Sequence, residues 1–352
     1  MKSLDDIHPY FQGRADADAF SGVALITQGS DTLWSGAYGW ASRAWRAPNT
    51  LDTRFDTASI TKLFTAVAVL QLVDQGRLAL DTRVIERLGL TGANFSPDIT
   101  VYHLLTHTSG LGDDADEEAG ESYAALWQTR SNYLVRTTAD FLPQFIHKPA
   151  NFSPGQGCRY CNVGYLLLGL LIEQATGLAY RDYVRAHIFA PAGMTQTDFF
   201  AMDRVHPNVA EGTNPLRDEA GAITGWKRNI YSFPPIGSPD AGAHVTAADL
   251  DLFLRQVRAG HLLSPALTEA FFTPQVLHTA HPGWDEWSGL GLWFHREPSG
   301  QVVFYEKEGI NAGVSGLVRY YPQRDISVVV LSNMEDGAWE PIRALHQWVM
   351  GK

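Results

Sequence analysis

The chain is poor in cysteine, has no excess of basic residues and contains no long apolar run. Only Cys158 and Cys161 are cysteines among 352 residues, which excludes a disulfide scaffold and makes a cytoplasmic setting the expectation. The 27 Lys and Arg against 38 Asp and Glu leave a formal net charge of −11, so no basic footprint invites nucleic acid or an anionic membrane surface. The most apolar stretches, residues 63–73 and 164–172, are far shorter than the about 20 residues of a membrane span. Residues 1–20 carry Asp5, Asp6, His8, Arg14, Asp16 and Asp18 and no apolar core, so no signal peptide is expected there. What remains, 45% apolar and 18% charged residues, is the composition of a folded globular protein with a small or neutral partner.

No repeat and no low-complexity tract interrupts the chain. Residues 20–27 and 32–38 are apolar-rich and flank the turn-forming Gln28-Gly29-Ser30-Asp31, which predicts a hairpin. A helix is expected over residues 59–75, where Leu63, Val67, Leu70 and Val73 share a face and Gly76 stops the pattern. Helical patterns dominate to about residue 210, and residues 165–174 are apolar almost all round, as in a buried helix. Residues 203–239, rich in Pro, Gly, Asn and Asp, read as a long loop, and residues 247–260 as a helix. Strands return at 302–306, 314–321 and 326–331, with a final helix near 339–350. Strands at both ends with helices between predict an α/β fold. Its sheet is formed by both chain ends and flanked by helices, with an inserted helical lobe at about 77–210. Residues of about 15–76 and 240–352 then make up the α/β lobe of a single domain.

Three short constellations carry chemistry. In Ser59-Ile60-Thr61-Lys62 the two end residues lie on one helix face, within reach of each other, so a desolvated lysine can take the proton that makes a serine nucleophilic. A helix start also offers free N–H groups to developing negative charge. A surface serine beside a solvated lysine is the bland alternative. Tyr160-Cys161-Asn162 lies between a turn-rich loop and the buried helix, where a phenol held between cations would have a lowered pKa and shuttle protons as phenolate. An ordinary core tyrosine is the alternative here. Lys307-Glu308-Gly309 ends the strand 302–306, where a glycine admits close approach of a substrate backbone and the lysine supplies charge. His281-Pro282-Gly283 has the same form but sits in a loop without strand character, and ranks below it.

In this order, these elements resemble the serine beta-lactamase and penicillin-binding-protein superfamily, in its class C-like branch of beta-lactamases, D-amino-acid peptidases and family VIII carboxylesterases. The resemblance extends from Phe55-Asp56-Thr57-Ala58-Ser59-Ile60-Thr61-Lys62 through Ile99-Thr100-Val101-Tyr102-His103-Leu104-Leu105-Thr106-His107-Thr108-Ser109-Gly110-Leu111. It continues with Pro154-Gly155, Tyr160 to Tyr165, the stretch 240–249 and the closing strands 309–333, covering about residues 20–335. It implies a beta-lactamase/transpeptidase-like fold with a mainly antiparallel sheet. It further implies Ser59 as acylated nucleophile, Lys62 as its activating partner, Tyr160 sharing the base role, and Asn162 holding Lys62 and a substrate carbonyl or amide. Lys307 and Gly309 belong to the third motif, and the N–H groups of Ser59 and Ile310 would form the oxyanion hole. No cofactor or metal is implied. Glu308 stands where beta-lactamases and penicillin-binding proteins usually keep a small hydroxyl residue, which points away from substrate carboxylates. The middle residue of the second motif is Cys161 rather than a small polar one.

The expected activity is therefore that of a serine hydrolase forming an acyl-enzyme on small carboxylic esters. A D-amino-acid peptidase, DD-peptidase or beta-lactamase is the alternative, and an acylable sensor without turnover is the reading from another class. Gly313-Val314-Ser315-Gly316-Leu317 misses the Gly-x-Ser-x-Gly elbow at its last position. Cys158 and Cys161 read as free thiols in a loop, with an opportunistic disulfide between them as the alternative, and His278 and His281 as residues of a solvated loop. The acidic run of Asp113, Asp114, Asp116, Glu117 and Glu118 reads as solvent-facing, with the option of flanking a cleft and repelling anions. His103 and His107 are read as packing and capping residues on one helix face.

Overall fold

Period-two patterning places alternate residues of a strand on opposite faces, and a sheet apolar on both faces must be covered twice. The computed structural model describes residues 3–90 and 92–351, and among them eight strands form one sheet. They are β1 (Gly22–Gln28), β2 (Asp31–Tyr38), β3 (Val276–His281), β4 (Trp284–Ser288), β5 (Trp293–Arg296), β6 (Val302–Asn311), β7 (Val314–Tyr321) and β8 (Ile326–Ser332). The spatial order is β2-β1-β8-β7-β6-β5-β4-β3 with every pair antiparallel, so the two ends of the chain meet where β1 pairs β8, from Gly22 opposite Ser332 to Gln28 opposite Ile326.

The longer helices among the described residues are α1 (Ile7–Asp16), α2 (Lys62–Asp74), α3 (Asn162–Thr176), α4 (Ala247–Arg258) and α5 (Trp339–Met350), with α3 packed on α2. Ala24 and Ile26 of β1 face Phe11 of α1 and Leu345 of α5, whereas Val23 and Leu25 face the larger core with α2, α3 and α4. α2 and α3 are buried on nearly every side, which explains why their apolar residues run past a single stripe. The architecture is the beta-lactamase/transpeptidase-like one, with a large antiparallel sheet and flanking helices.

Several local expectations need correction. The stretch 203–239 is not all loop, because Thr213–Arg217 and Ile223–Arg228 pair as a hairpin. Residues 276–296 form β3, β4 and β5, so His281-Pro282-Gly283 marks a hairpin tip with strand on both sides. His281, Trp284 and His295 stack there at 3.9 and 4.2 Å between ring centroids. The strand expected to stop at Glu306 continues to Asn311, because pairing with β7 carries it through Lys307, Glu308 and Gly309. β6 is interior to the sheet, yet its pairing with β5 ends at Glu306, so its last five residues are bonded on one side only.

Candidate active site

Ser59 is held from three directions. The short strand Phe55–Asp56 pairs with His244–Val245 and leads into a 3-10 turn, Ala58–Thr61, from which α2 continues. Ala58 adopts φ +42°, uncommon for a residue with a Cβ, and the Asp56 carboxylate accepts its N–H at 2.7 Å. Ala243 fixes both ends of the turn: its carbonyl accepts from Thr57 N at 2.9 Å, and its N–H donates to Thr61 Oγ1 at 3.0 Å. β6 closes the third side. A Cβ on Gly309 would lie 2.1 Å from Thr57 O and 3.0 Å from Ser59 N, so only glycine lets this strand touch the nucleophile turn.

The side chains named from the sequence converge here. Lys62 Nζ lies 3.0 Å from Ser59 Oγ, 2.7 Å from Asn162 Oδ1 and 2.9 Å from Asp240 O, and Lys62 is fully buried. The Tyr160 hydroxyl donates to Ser59 Oγ at 2.7 Å. Lys62 Nζ and Lys307 Nζ each lie 4.9 Å from the centre of the Tyr160 ring. Ser59 faces a cavity of about 290 Å³ whose walls include Tyr160, Lys307, Ile310, Trp293 and His278. Two of the three neighbours of Lys62 Nζ are carbonyl oxygens that can only accept. A neutral amine satisfies all three by donating twice and turning its lone pair to the Ser59 hydroxyl. Burial, the largest influence, holds Lys62 below the usual lysine range, against the opposing pull of Asp240, Glu117 and Asp113.

Residues 9–348 match the Beta-lactamase family. The chain belongs to the Beta-lactamase family. The Esterase EstB of Burkholderia gladioli is 37% identical over 286 residues, spanning 74% of this chain and 72% of the relative. A penicillin-binding protein of Bacillus subtilis (strain 168) is 26% identical over 340 residues, 93% of this chain and 71% of the relative. The structure of a penicillin binding protein from Bacillus halodurans superposes with a TM-score of 0.87 at 36% identity, covering 97% of this chain and 99% of that one. This member of the Beta-lactamase family is a serine hydrolase of the beta-lactamase and penicillin-binding-protein superfamily. Among the described residues no single helix is long and apolar enough to cross a membrane.

The electrostatics of this family member correct two expectations. Burial first, then the carboxylate of Glu117, push the Tyr160 phenol well above its ordinary value, so the resting group is a protonated phenol and not a phenolate. The acidic run is only partly solvent-facing: Glu117 and Glu118 are exposed as expected, but its first two residues are not. Asp113 and Asp114 are buried, and Asp113 caps α3 by accepting from Asn162 N and Val163 N, both at 2.9 Å. Asp113 also takes the Asn162 side-chain amide at 3.3 Å, which turns Asn162 Oδ1 towards Lys62. Glu117 and Glu118 do line the cleft.

His278 belongs to the same wall. It bonds Glu286 at 3.1 Å and Glu118 at 3.3 Å, and these hydrogen bonds raise it to about 9. Five glutamates line the cavity: Glu117, Glu118, Glu286, Glu306 and Glu308. His103 caps its own helix as expected, by taking the Thr100 N–H at 3.2 Å. His107 instead lies past that helix, Val101–Leu105, against Tyr160. Cys158 and Cys161 are free thiols. Ser315 is buried within β7 and donates to Met334 O, which leaves it no nucleophilic role.

Proposed function

We propose that the protein hydrolyses small, neutral carboxylic esters through an acyl-enzyme on Ser59. The observation that carries this reading is the position of Ser59 Oγ, between Lys62 Nζ at 3.0 Å and the Tyr160 hydroxyl at 2.7 Å, facing an open cavity. Ser59 Oγ attacks the ester carbonyl while its proton passes to neutral Lys62. The developing oxyanion is received by the N–H groups of Ser59 and Ile310; in support, Gly309, the neighbour of Ile310, packs so closely on the nucleophile turn that a Cβ there would lie 3.0 Å from Ser59 N. Tyr160 gives its proton to the departing alkoxide, and the transient phenolate is stabilised by Lys62 and Lys307. In the second half, water attacks the acyl-enzyme and gives a proton to the phenolate. Ser59 leaves with the proton held by Lys62, and the resting state is restored.

The preference for neutral esters rests on charge. Lys307 and His278 are the cationic side chains among the residues lining the cavity, and the five glutamates outnumber them. Burial, the largest influence on each, brings Lys307 down to about 7 and Glu308 up to about 7, so both lose charge near neutral pH and the other four glutamates still outnumber the cations. The 37% identity to an esterase supports the same class.

The test is kcat/KM for p-nitrophenyl butyrate, nitrocefin and a D-Ala-D-Ala peptide. Faster turnover of the butyrate supports the esterase reading. A tenfold preference for nitrocefin or the peptide transfers the assignment to a beta-lactamase or peptidase. One stoichiometric burst followed by silence with every substrate supports the acylable sensor.

A further inference from the structure

His107 follows the helix Val101–Leu105 and turns the chain with φ +58°, a conformation most residues with a Cβ avoid. It is 3% exposed. Its carbonyl accepts from Arg159 N at 2.9 Å and its ring Nδ1 accepts from Cys161 N at 3.2 Å, so one residue bonds the backbone on both sides of Tyr160. The N–H between them, that of Tyr160, goes to Glu118 at 2.6 Å. The imidazole also lies against the Tyr160 ring, 4.7 Å between centroids, and stacks on Trp293 at 5.6 Å with 2° between planes.

Because Nδ1 accepts, the neutral ring carries its proton on Nε2. Burial, aided by Lys307 and Lys62, keeps His107 well below the usual histidine value and so uncharged. Nε2 is buried and has no hydrogen-bond partner. A phenylalanine would stack in this slot without burying an orphan donor, so packing alone does not account for an imidazole. What the imidazole adds is an acceptor for the Cys161 N–H.

We infer that His107 is the positioning residue for Tyr160, clamping residues 159–161 so that the phenol meets Ser59. The inference rests on the proposed role of Tyr160 in proton transfer. Two variants separate the ring from the acceptor. His107→Phe keeps a stacking ring and removes the acceptor. His107→Asn places Oδ1 where Nδ1 stood, and asparagine tolerates positive φ.

Both variants are made alone and in the Tyr160→Phe background, and kcat and KM for p-nitrophenyl butyrate are measured together with thermal unfolding. His107→Phe is expected to lower kcat about 100-fold with KM changed less than about threefold, the scale of a 1 Å misplacement. His107→Asn should recover at least about tenfold of that loss. Neither should slow Tyr160→Phe further, because residues acting as one unit are not additive. A Phe variant with wild-type kcat, an Asn variant no better than Phe, or additive losses in the double variants would overturn the inference. If His107→Phe does not fold, His107→Asn with and without Tyr160→Phe decides by the same additivity criterion. If Tyr160→Phe alone is as fast as wild type, the inference falls with it, and the failure lies in the role given to Tyr160.

Discussion

Gly309→Ala adds one methyl group at the contact between β6 and the nucleophile turn, and the structure sets the size of its effect. The new Cβ would lie 2.1 Å from Thr57 O and 3.0 Å from Ser59 N, both backbone atoms that no side-chain rotation can move aside. Reaching the 3.4 Å at which ordinary van der Waals contact begins requires β6 and the turn to separate by about 1.3 Å. A misplacement of about 1 Å at reacting groups costs about 100-fold in rate, and overpacking costs about 1–3 kcal/mol of stability. The expected variant therefore folds, melts a few degrees lower and loses about 100-fold in kcat/KM. Turnover of p-nitrophenyl butyrate and thermal unfolding by circular dichroism provide the two readouts. An alanine variant within threefold of wild-type kcat/KM would refute the claim that this contact aligns the Ser59 and Ile310 amides.

Three further outcomes are expected. Tyr160→Phe removes the hydroxyl that donates to Ser59 Oγ and should lower kcat about 10²–10⁴-fold, whereas a change confined to KM would make Tyr160 a mere pocket wall. Lys307→Met removes a cation that repels protonated Lys62, so the pKa of Lys62 rises and the acid limb of kcat/KM moves to higher pH; an unmoved limb contradicts the assignment of Lys62 as base. His278, raised from 6.5 to about 9 by Glu118 and Glu286, contributes stability that is complete below pH 6.5 and is lost as pH rises through 9. The gap in melting temperature between wild type and His278→Gln should accordingly narrow over that window, and a gap independent of pH rejects the ion pairs.

The parts legible in the sequence were those whose signal is local. Residues 20–27 and 32–38 are apolar-rich and flank the turn at Gly29, and the apolar runs of α2 and α3 announce buried helices. Ser59, Lys62, Tyr160, Asn162, Lys307, Gly309 and Ile310 stood out through short motifs and family likeness, and they do come together in space. What stayed hidden depends on partners distant along the chain. Asp113 reads as solvated because the helix end that it caps lies 49 residues away. β3 and β4 mix Trp, His and Glu, and their aromatic stacking across strands is invisible to an apolar count. Lys307-Glu308-Gly309 looks like a strand end by propensity, yet Gly309 pairs with Gly316 and the strand runs on. The ionisation of Tyr160 depends on burial and on Glu117, neither of which adjoins it in sequence.

The central claim, an acyl-enzyme on Ser59, is tested most directly by labelling the protein with a p-nitrophenyl phosphonate and mapping the adduct by peptide mass spectrometry. The account predicts one adduct per chain, on Ser59, with loss of esterase activity in proportion to labelling. It also predicts no adduct in a folded Ser59→Ala variant, whose esterase activity is abolished. Stoichiometric labelling of another serine, or turnover surviving in Ser59→Ala, would contradict it.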